Sequence, residues 1–176
     1  MIDWYLALTP LLALAILSLL RFVGCDGVFG LSQSSPADLS VTWNGAVRDR
    51  VGPGKLALAP DGAKDGTLTA SLGLSGGRTV TAVQLTSFAP GNPAPVGVWD
   101  NDPTTLHFAL GVSTTLDGAL LNDPGSGAVD FFVPDGGSFV VFASDLNNME
   151  FLSGNTLSLT VTFSDLSSSS AQVVIP

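Results

Sequence analysis

The chain has 176 residues, of which 15 are acidic and six are basic, so its formal net charge is −9 at pH 7. Only 12% of the residues are charged, against about 25% in a typical soluble domain, which argues against charged disorder and coiled coil. The excess of acidic over basic residues and the lack of a basic patch exclude a nucleic-acid-binding surface. One Cys and one His in the whole chain exclude disulfide frameworks, Cys/His zinc sites and intramolecular Cys–His catalysis.

The chain begins with an apolar segment, residues 4–20, in which no residue is charged. About 20 apolar residues span a bilayer core, and two further apolar residues follow the first charge after this segment. Trp4 and Tyr5 at one end and Arg21 at the other suit the two membrane interfaces. We therefore predict a transmembrane anchor or signal segment over residues 1–25.

Three interpretations of this segment stay open: a cleaved secretory signal, an uncleaved signal anchor and a lipoprotein precursor. A cleaved signal has a basic n-region, whereas this chain begins Met-Ile-Asp. Residues 22–25, Phe-Val-Gly-Cys, resemble a bacterial lipobox, although the family prefers Leu at the first of these places. The resemblance implies that Cys25 is lipidated. We favour the uncleaved anchor, because the n-region is a poor export signal.

The charge next to the segment and the composition of the rest of the chain point to opposite orientations. Arg21 after the segment would keep that end in the cytoplasm by the positive-inside rule. The remaining chain is poor in Lys and Glu and rich in Ser, Thr, Gly, Asp and Asn, a composition typical of exported bacterial sheet proteins. We predict a single-pass or lipid-anchored protein with its domain on the periplasmic or extracellular side of the membrane.

Residues 26–37 have the Gly, Ser and Pro content of a linker, and a sheet domain follows over residues 38–176. In this domain apolar and polar residues alternate with a period of two, and Gly, Pro, Asp and Asn clusters interrupt the alternation. This pattern predicts roughly eight to ten strands.

Alternation also predicts which side chains face the core. Around Ala82 the alternation changes phase, which indicates a β-bulge. In chain order, the predicted core positions are Leu39, Val41 and Trp43; Leu68, Ala70, Leu72 and Leu74; Leu106, Phe108 and Leu110; Leu157, Leu159, Val161 and Phe163; and Val173 and Ile175.

Antiparallel strands with this spacing form a two-sheet sandwich or a small barrel, and we predict the sandwich. The sequence TLSLTVTFSDLSSSSAQVVI resembles the last hairpin of immunoglobulin-like and fibronectin-type sandwiches of bacterial surface proteins, here over residues 156–175. The resemblance implies an all-β, antiparallel, Ig-like sandwich. It extends to pattern only, because the paired Cys of antibody-type domains is missing.

The sequence contains few candidates for catalysis. His107 lies between Leu106 and Phe108, so alternation directs it away from the core, and no G-x-S-x-G elbow supports a serine hydrolase. Most Asp residues adjoin Gly, Pro or Asn, which is typical of turns rather than of glycosidase carboxylate pairs. We expect no enzyme and no cofactor.

One acidic cluster suits a metal ion. Asp100 and Asp102 flank an Asn, and oxygen ligands at alternate positions suit Ca²⁺, with Asp123 or Asp135 contributing from another loop. The EF-hand pattern is missing, and we favour the alternative that this segment is a tight turn.

Carbohydrate binding is the main small-ligand hypothesis. Trp43 and Trp99 are the only tryptophans outside the N-terminal segment, and carbohydrate modules stack sugar rings on exposed aromatic side chains. The parity of Trp43 predicts a core position. Trp99 meets a polar loop and is a candidate platform for a sugar, with a core or interface position as the alternative.

Two segments, residues 138–143 and, apart from Asp130, residues 129–133, are apolar on both parities, so each needs a cover on its second face. If no loop covers them, they form a patch of the kind that marks protein contacts; residues 89–95 and 144–155 are the candidate covers. The predicted contact residues are Trp99, Phe131, Phe132, Val140 and Phe142.

An anchor, a rigid sheet domain and no catalytic set together predict a structural function. We expect a membrane-tethered extracytoplasmic accessory subunit that contacts a larger membrane or cell-surface assembly, or copies of itself. The alternative is a tethered carbohydrate- or cell-surface-binding module.

Overall fold

The structure is a computed structural model, and it describes residues 38–52, 54, 59–73, 76–122, 129–144 and 149–176. These residues form strands, turns and loops, with no helix among them, so the all-β prediction is confirmed. The predictions for residues 1–25, for the linker of residues 26–37, for Leu74 and for Asp123 lie outside the described residues.

The described residues contain nine strands, within the predicted range. Their bounds are β1 (Leu39–Arg48), β2 (Asp65–Leu72), β3 (Arg78–Phe88), β4 (Pro95–Asp100), β5 (Phe108–Ser113), β6 (Phe131–Val133), β7 (Ser138–Ala143), β8 (Thr156–Phe163) and β9 (Ser168–Val174). The strand order is β1-β2-β7-β5-β4-β3-β8-β9, and β6 pairs with β3.

The sheet is mixed rather than purely antiparallel. Every ladder is antiparallel except that of β4 and β5, where Trp99 lies opposite Phe108 and Asp100 opposite Ala109 in a parallel pair. This pair joins an antiparallel set, β1-β2-β7-β5, to a second one, β4-β3-β8-β9. Because β1 and β9 lie next to each other at the two ends of this order, the sheet is nearly closed and barrel-like.

The predicted alternation is present in most strands. In β8 the four apolar residues are buried and the Thr and Ser residues between them are half-exposed. The predicted β-bulge is confirmed by a register shift between Val80 and Ala82 in the β3–β8 pair. The prediction for Leu106 is wrong: its side chain is fully exposed, because β5 begins only at Phe108 and Leu106 lies in the preceding loop.

An aromatic stack fills one part of the interior. The Phe151 ring lies between those of Trp43 and Trp99, at centroid distances of 5.5 and 5.2 Å, and the indole Nε1–H of Trp99 donates to the Ser144 carbonyl at 2.9 Å. Gly66 allows this packing, because a Cβ there would lie 2.5 Å from the Phe151 ring. Trp99 is therefore fully buried, and Trp43 packs against the core as predicted.

Two segments that the sequence pattern does not indicate cover the second face of β7. Phe142 and Val140 belong to a small buried cluster with Val51 and Ala109. The Arg50 guanidinium lies over the Phe142 ring, 5.4 Å from its centroid, and donates to the carbonyl oxygens of Leu116 and Gly118. Residues 49–52 and 114–120 thus provide cover for this face. Of the expected cover at residues 144–155, residues 145–148 lie outside the described residues.

A buried carboxylate holds the first of these covering segments. Asp65 Oδ2 accepts hydrogen bonds from the backbone N–H groups of Arg50 at 2.6 Å and Val51 at 3.0 Å. Loss of hydration on burial raises the pKa of Asp65 to about 7, against the opposing effect of these two bonds and with a smaller rise from the charges of Asp49 and Asp61. The attachment of the segment is therefore coupled to a proton that titrates near neutral pH.

Candidate ligand-binding cleft

A cleft of about 290 Å³ lies on the outer face of β3 and β8, beside the loop of residues 101–107 that joins β4 to β5. The strands supply its floor and the loop supplies its wall. Eight of its ten lining residues have polar side chains: the full set is Ala82, Val83, Gln84, Asp100, Asn101, Asp102, Thr105, His107, Thr160 and Thr162.

The floor follows from strand alternation and from the bulge. In β8, Thr160 and Thr162 alternate with buried Leu and Val residues, so they face outward. The bulge resets the phase of β3, so that Ala82 lies opposite Thr162 and Gln84 lies opposite Thr160. Without the extra residue, the outward positions of β3 would carry apolar side chains at this point.

The wall is organised around the carboxylate of Asp100, which is largely buried. This carboxylate lies 2.6 Å from His107 Nδ1 and accepts hydrogen bonds from the Thr105 hydroxyl at 3.0 and 3.2 Å and from the Asp102 backbone N–H at 3.1 Å. Three residues of the loop are thus fixed by one acceptor group, which limits their freedom before any ligand arrives.

Two further contacts stiffen the loop. The Asn101 side-chain oxygen accepts a hydrogen bond from the Val83 backbone N–H at 2.9 Å, which ties the wall to the floor next to the bulge. Asp102 Oδ1 accepts from the backbone N–H and the hydroxyl of Thr104, at 2.8 and 2.7 Å. Such local bonds from Asp and Asn side chains are typical of tight turns.

His107 is the residue whose role the sequence pattern missed. Its side chain is 38% exposed and its ring is oriented by Asp100, whereas alternation alone predicts an unremarkable outward position. When Nδ1 donates to the carboxylate, the neutral ring has Nε2 as an acceptor, and a protonated ring has it as a donor. The turn residues after Asp100 are the only sequence signal that brings the two side chains together.

The proposed calcium ligands lie in this wall. The carboxylates of Asp100 and Asp102 accept hydrogen bonds from loop groups, as a tight turn requires. Within the described ranges, no group of three or more His, Cys, Asp or Glu residues is arranged to hold a metal ion, so the structure does not combine Asp135 with this pair. Calcium binding stays a prediction from the sequence.

Of the five predicted contact residues, four are buried. Trp99, Phe131, Val140 and Phe142 are in the interior, and Phe131 packs edge-to-face on Phe139 at 5.3 Å. Because neighbouring elements cover them, these four offer no contact surface, and the buried Trp99 is not a platform for a sugar. Phe132 alone of the five lies at the surface, with 64% of its area exposed.

The remaining predicted site residues belong to the N-terminal segment. Cys25, the lipidation candidate, and the interfacial residues Trp4, Tyr5 and Arg21 lie outside the described residues. Among the residues that the structure does describe, no helix has the length and apolar character to cross a membrane.

No protein-family model and no curated protein matches the chain.

Proposed function

We propose that the β domain is a carbohydrate-binding module and that its ligand occupies the cleft beside His107. The observation that carries this proposal is a cleft lined by amide, hydroxyl, imidazole and carboxylate groups, several of which are held in place by Asp100. Sugars present closely spaced hydroxyl groups, which both donate and accept hydrogen bonds and so complement such a lining. The fixed wall lowers the ordering cost of binding.

The lining has no Phe, Tyr or Trp side chain, so the ligand gains no stacking contact with a large aromatic ring there. Its affinity then rests on hydrogen bonds that contribute about 0.5–1.5 kcal/mol each. We expect weak binding of single sugars for this reason.

Binding without catalysis is part of the proposal. The cleft lining includes one His–Asp pair and neither Ser nor Cys, so an acyl-transfer mechanism would lack its usual nucleophile. The Asp100 carboxylate is occupied by groups of its own loop, which suits a role in positioning His107.

The test is a glycan array followed by titration calorimetry on the full chain in mild detergent. Gln84→Ala removes an exposed amide from the floor, and we expect it to weaken binding by about 3- to 10-fold. Thr42→Ala, on the outward face of β1, is the matched control and should bind as wild type does. Absence of glycan binding, or equal effects of the two substitutions, would contradict the proposal.

A second candidate function is the structural subunit, and exposed apolar residues at one end of the sheet favour it. Phe132 pairs with Thr79, and the Thr79 carbonyl accepts the backbone N–H of Ser164 in the turn before β9. The same turn contains Leu166, which is 88% exposed. Two exposed, large apolar side chains thus belong to elements that both contact the Thr79 backbone, as in a contact surface for a larger membrane assembly or a second copy.

The assembly candidate has its own experiment. Gentle detergent extraction, size-exclusion chromatography and mass spectrometry should show a larger species that Phe132→Ser shifts toward the monomer. A wild-type protein that elutes alone as a small monomer would contradict this candidate and leave the carbohydrate proposal untouched.

Both candidates include a membrane tether and a position on the periplasmic or extracellular side. The uncharged segment of residues 4–20 and the low Lys and Glu content support this part of the proposal. Intact mass separates the two tethers: a retained Met1 with no acyl group supports the helix, and a mature chain that begins at acylated Cys25 supports the lipid. Cys25→Ser should stay membrane-bound if the helix is the anchor.

The finer description of the fold as an Ig-like sandwich is also a proposal. It is supported by the two antiparallel strand sets and by the β8–β9 hairpin, whose ladder runs from Thr156 opposite Val174 to Thr162 opposite Ser168. Superposition on Ig-like domains would support it, and a continuous barrel would contradict it.

A further inference from the structure

The outer face of β3, β8 and β9 is a polar surface without a charged side chain, called here the neutral face. Nine of its twelve residues carry a hydroxyl or an amide group. In rows across the three strands, they are Ala82, Thr162 and Ser168; Gln84, Thr160 and Ser170; Thr86, Ser158 and Gln172; and Phe88, Thr156 and Val174. A designed soluble surface is given roughly 25–35% charged residues, which would be three or four among twelve positions, whereas this face has none.

The neutral face is long and regular. Its four rows, with outward residues about 6.8 Å apart along each strand, give a length of about 20 Å, and three strands about 4.8 Å apart give a width of about 10 Å. Neighbouring hydroxyl groups are within reach of each other across the strands, since Thr160 Oγ1 and Ser170 Oγ are hydrogen-bonded at 2.9 Å. All twelve residues are at least partly exposed.

The cleft is one end of this face. Ala82, Gln84, Thr160 and Thr162 belong both to the neutral face and to the cleft lining. The loop of residues 101–107 that follows β4 contributes Asp102, Thr105 and His107 to the lining of the cleft beside these two rows. The rows that begin with Thr86 and Phe88 follow along the same strands, and none of their residues lines the cleft.

We propose that the ligand is a neutral polysaccharide chain, one unit of which enters the cleft while the following units lie along the open rows of the neutral face. This inference rests on the carbohydrate-binding function proposed above. A surface about 20 Å long exceeds one sugar ring several-fold, and repeated hydroxyl and amide groups match a repeating hydroxylated ligand. Many weak hydrogen bonds along one ligand add up to an affinity that a single unit does not reach.

The charge of the protein favours neutral over anionic polysaccharides. The chain carries a net charge of −9, the neutral face has no Lys or Arg, and Asp100 and Asp102 line the cleft. An anionic polysaccharide would be repelled and would find no cation on this face. A neutral polysaccharide is not repelled in this way.

The first test uses length as the variable. The neutral probes are three oligosaccharide series, each from monomer to hexamer: β-1,4-glucan, α-1,4-glucan and β-1,4-N-acetylglucosamine. Each is titrated into the full chain by calorimetry, and oligogalacturonate is the anionic probe. For at least one neutral series, affinity should rise by about 10-fold or more from dimer to tetramer and then level off, because two or more further hydrogen bonds form. The oligogalacturonate should bind at least about 10-fold more weakly than a bound neutral oligomer of equal length.

The second test separates this inference from the function on which it rests. Gln172→Ala alters an exposed residue of the open rows and should weaken the hexamer by about 3- to 10-fold while leaving the dimer unchanged. Gln84→Ala in the cleft should weaken both, and Thr42→Ala should weaken neither. The polysaccharide inference is overturned, and the cleft proposal preserved, by the following result: Gln84→Ala weakens binding, affinity does not depend on oligomer length, and Gln172→Ala has no effect. A failure of every neutral series to bind overturns both.

Discussion

Substitution of Asp65 by Asn should remove most of the pH dependence of folding that this buried residue produces. The amide keeps the size of the side chain and an oxygen that accepts the N–H groups of Arg50 and Val51, but it cannot ionise. In the wild type, burial raises the pKa of Asp65 to about 7 from an ordinary value of 3.8. At a pH well below 3.8 the wild-type carboxyl is neutral in both states, and the two proteins should be similarly stable.

The sign and the size of this pH effect on the free energy of unfolding follow from proton linkage. Between pH 3.8 and about 7 the folded state holds the proton that the unfolded chain has released, so the free energy of unfolding falls as the pH rises through this window. The full interval corresponds to at most about 4 kcal/mol. In a domain of this size, that is a change in Tm of roughly 10 °C.

The assay is thermal and urea unfolding of both proteins from pH 4 to pH 8.5. We expect the stability difference, Asp65→Asn minus wild type, to grow steadily between pH 4 and pH 7.5 and then to become constant. Asp130→Asn is the control, because that side chain is exposed next to a buried strand, and its curve should run parallel to that of the wild type. Parallel curves for Asp65→Asn would refute the burial argument.

Three further predictions concern packing and the cleft. Phe142→Ala should lower the free energy of unfolding by about 3–5 kcal/mol in urea titrations, whereas Phe132→Ala, at an exposed position, should lower it by less than about 1 kcal/mol; equal effects would contradict the assigned burial. Gly66→Ala should cost about 1–3 kcal/mol and shift tryptophan emission to the red, because the new methyl group displaces the aromatic stack; unchanged emission would contradict this. Asp100→Asn should change the nitrogen-15 shifts of the His107 ring and weaken sugar binding; an unaltered ring spectrum would show that the carboxylate does not orient it.

The parts of the fold that the sequence predicts are those governed by local alternation. In β8 and β9 each residue's neighbours in sequence determine its face, so the hairpin and its core residues follow from the pattern. The bulge in β3 was predicted for the same reason, since Val80 and Val83 cannot both face inward without an extra residue between them. The prediction for Leu106 is wrong because the alternation of apolar and polar residues extends to positions before β5 begins, and nothing local marks that beginning.

The parts that the sequence does not predict depend on contacts between distant segments. Arg50 and Leu116 cover Phe142, yet no local pattern connects these residues, so the same apolar strand appears available for a partner. The parallel pairing of β4 with β5 likewise depends on the path of the loop of residues 101–107. That path creates the cleft, and the candidate site is therefore the least predictable part of the described chain.

The junction between this loop and the bulged strand gives the most direct test of how fold and site are connected. Asn101→Ala removes the acceptor of the buried Val83 N–H, which should cost about 1–3 kcal/mol and separate the wall of the cleft from its floor. Leu106→Ala, at a fully exposed position of the same loop, is the matched control. We expect hydrogen exchange at the Val83 amide to accelerate, and sugar affinity to fall, only in the Asn101 variant. If the Val83 amide stayed protected while affinity fell, Asn101 would contact the ligand itself, and the loop would be held by the Asp100 network instead.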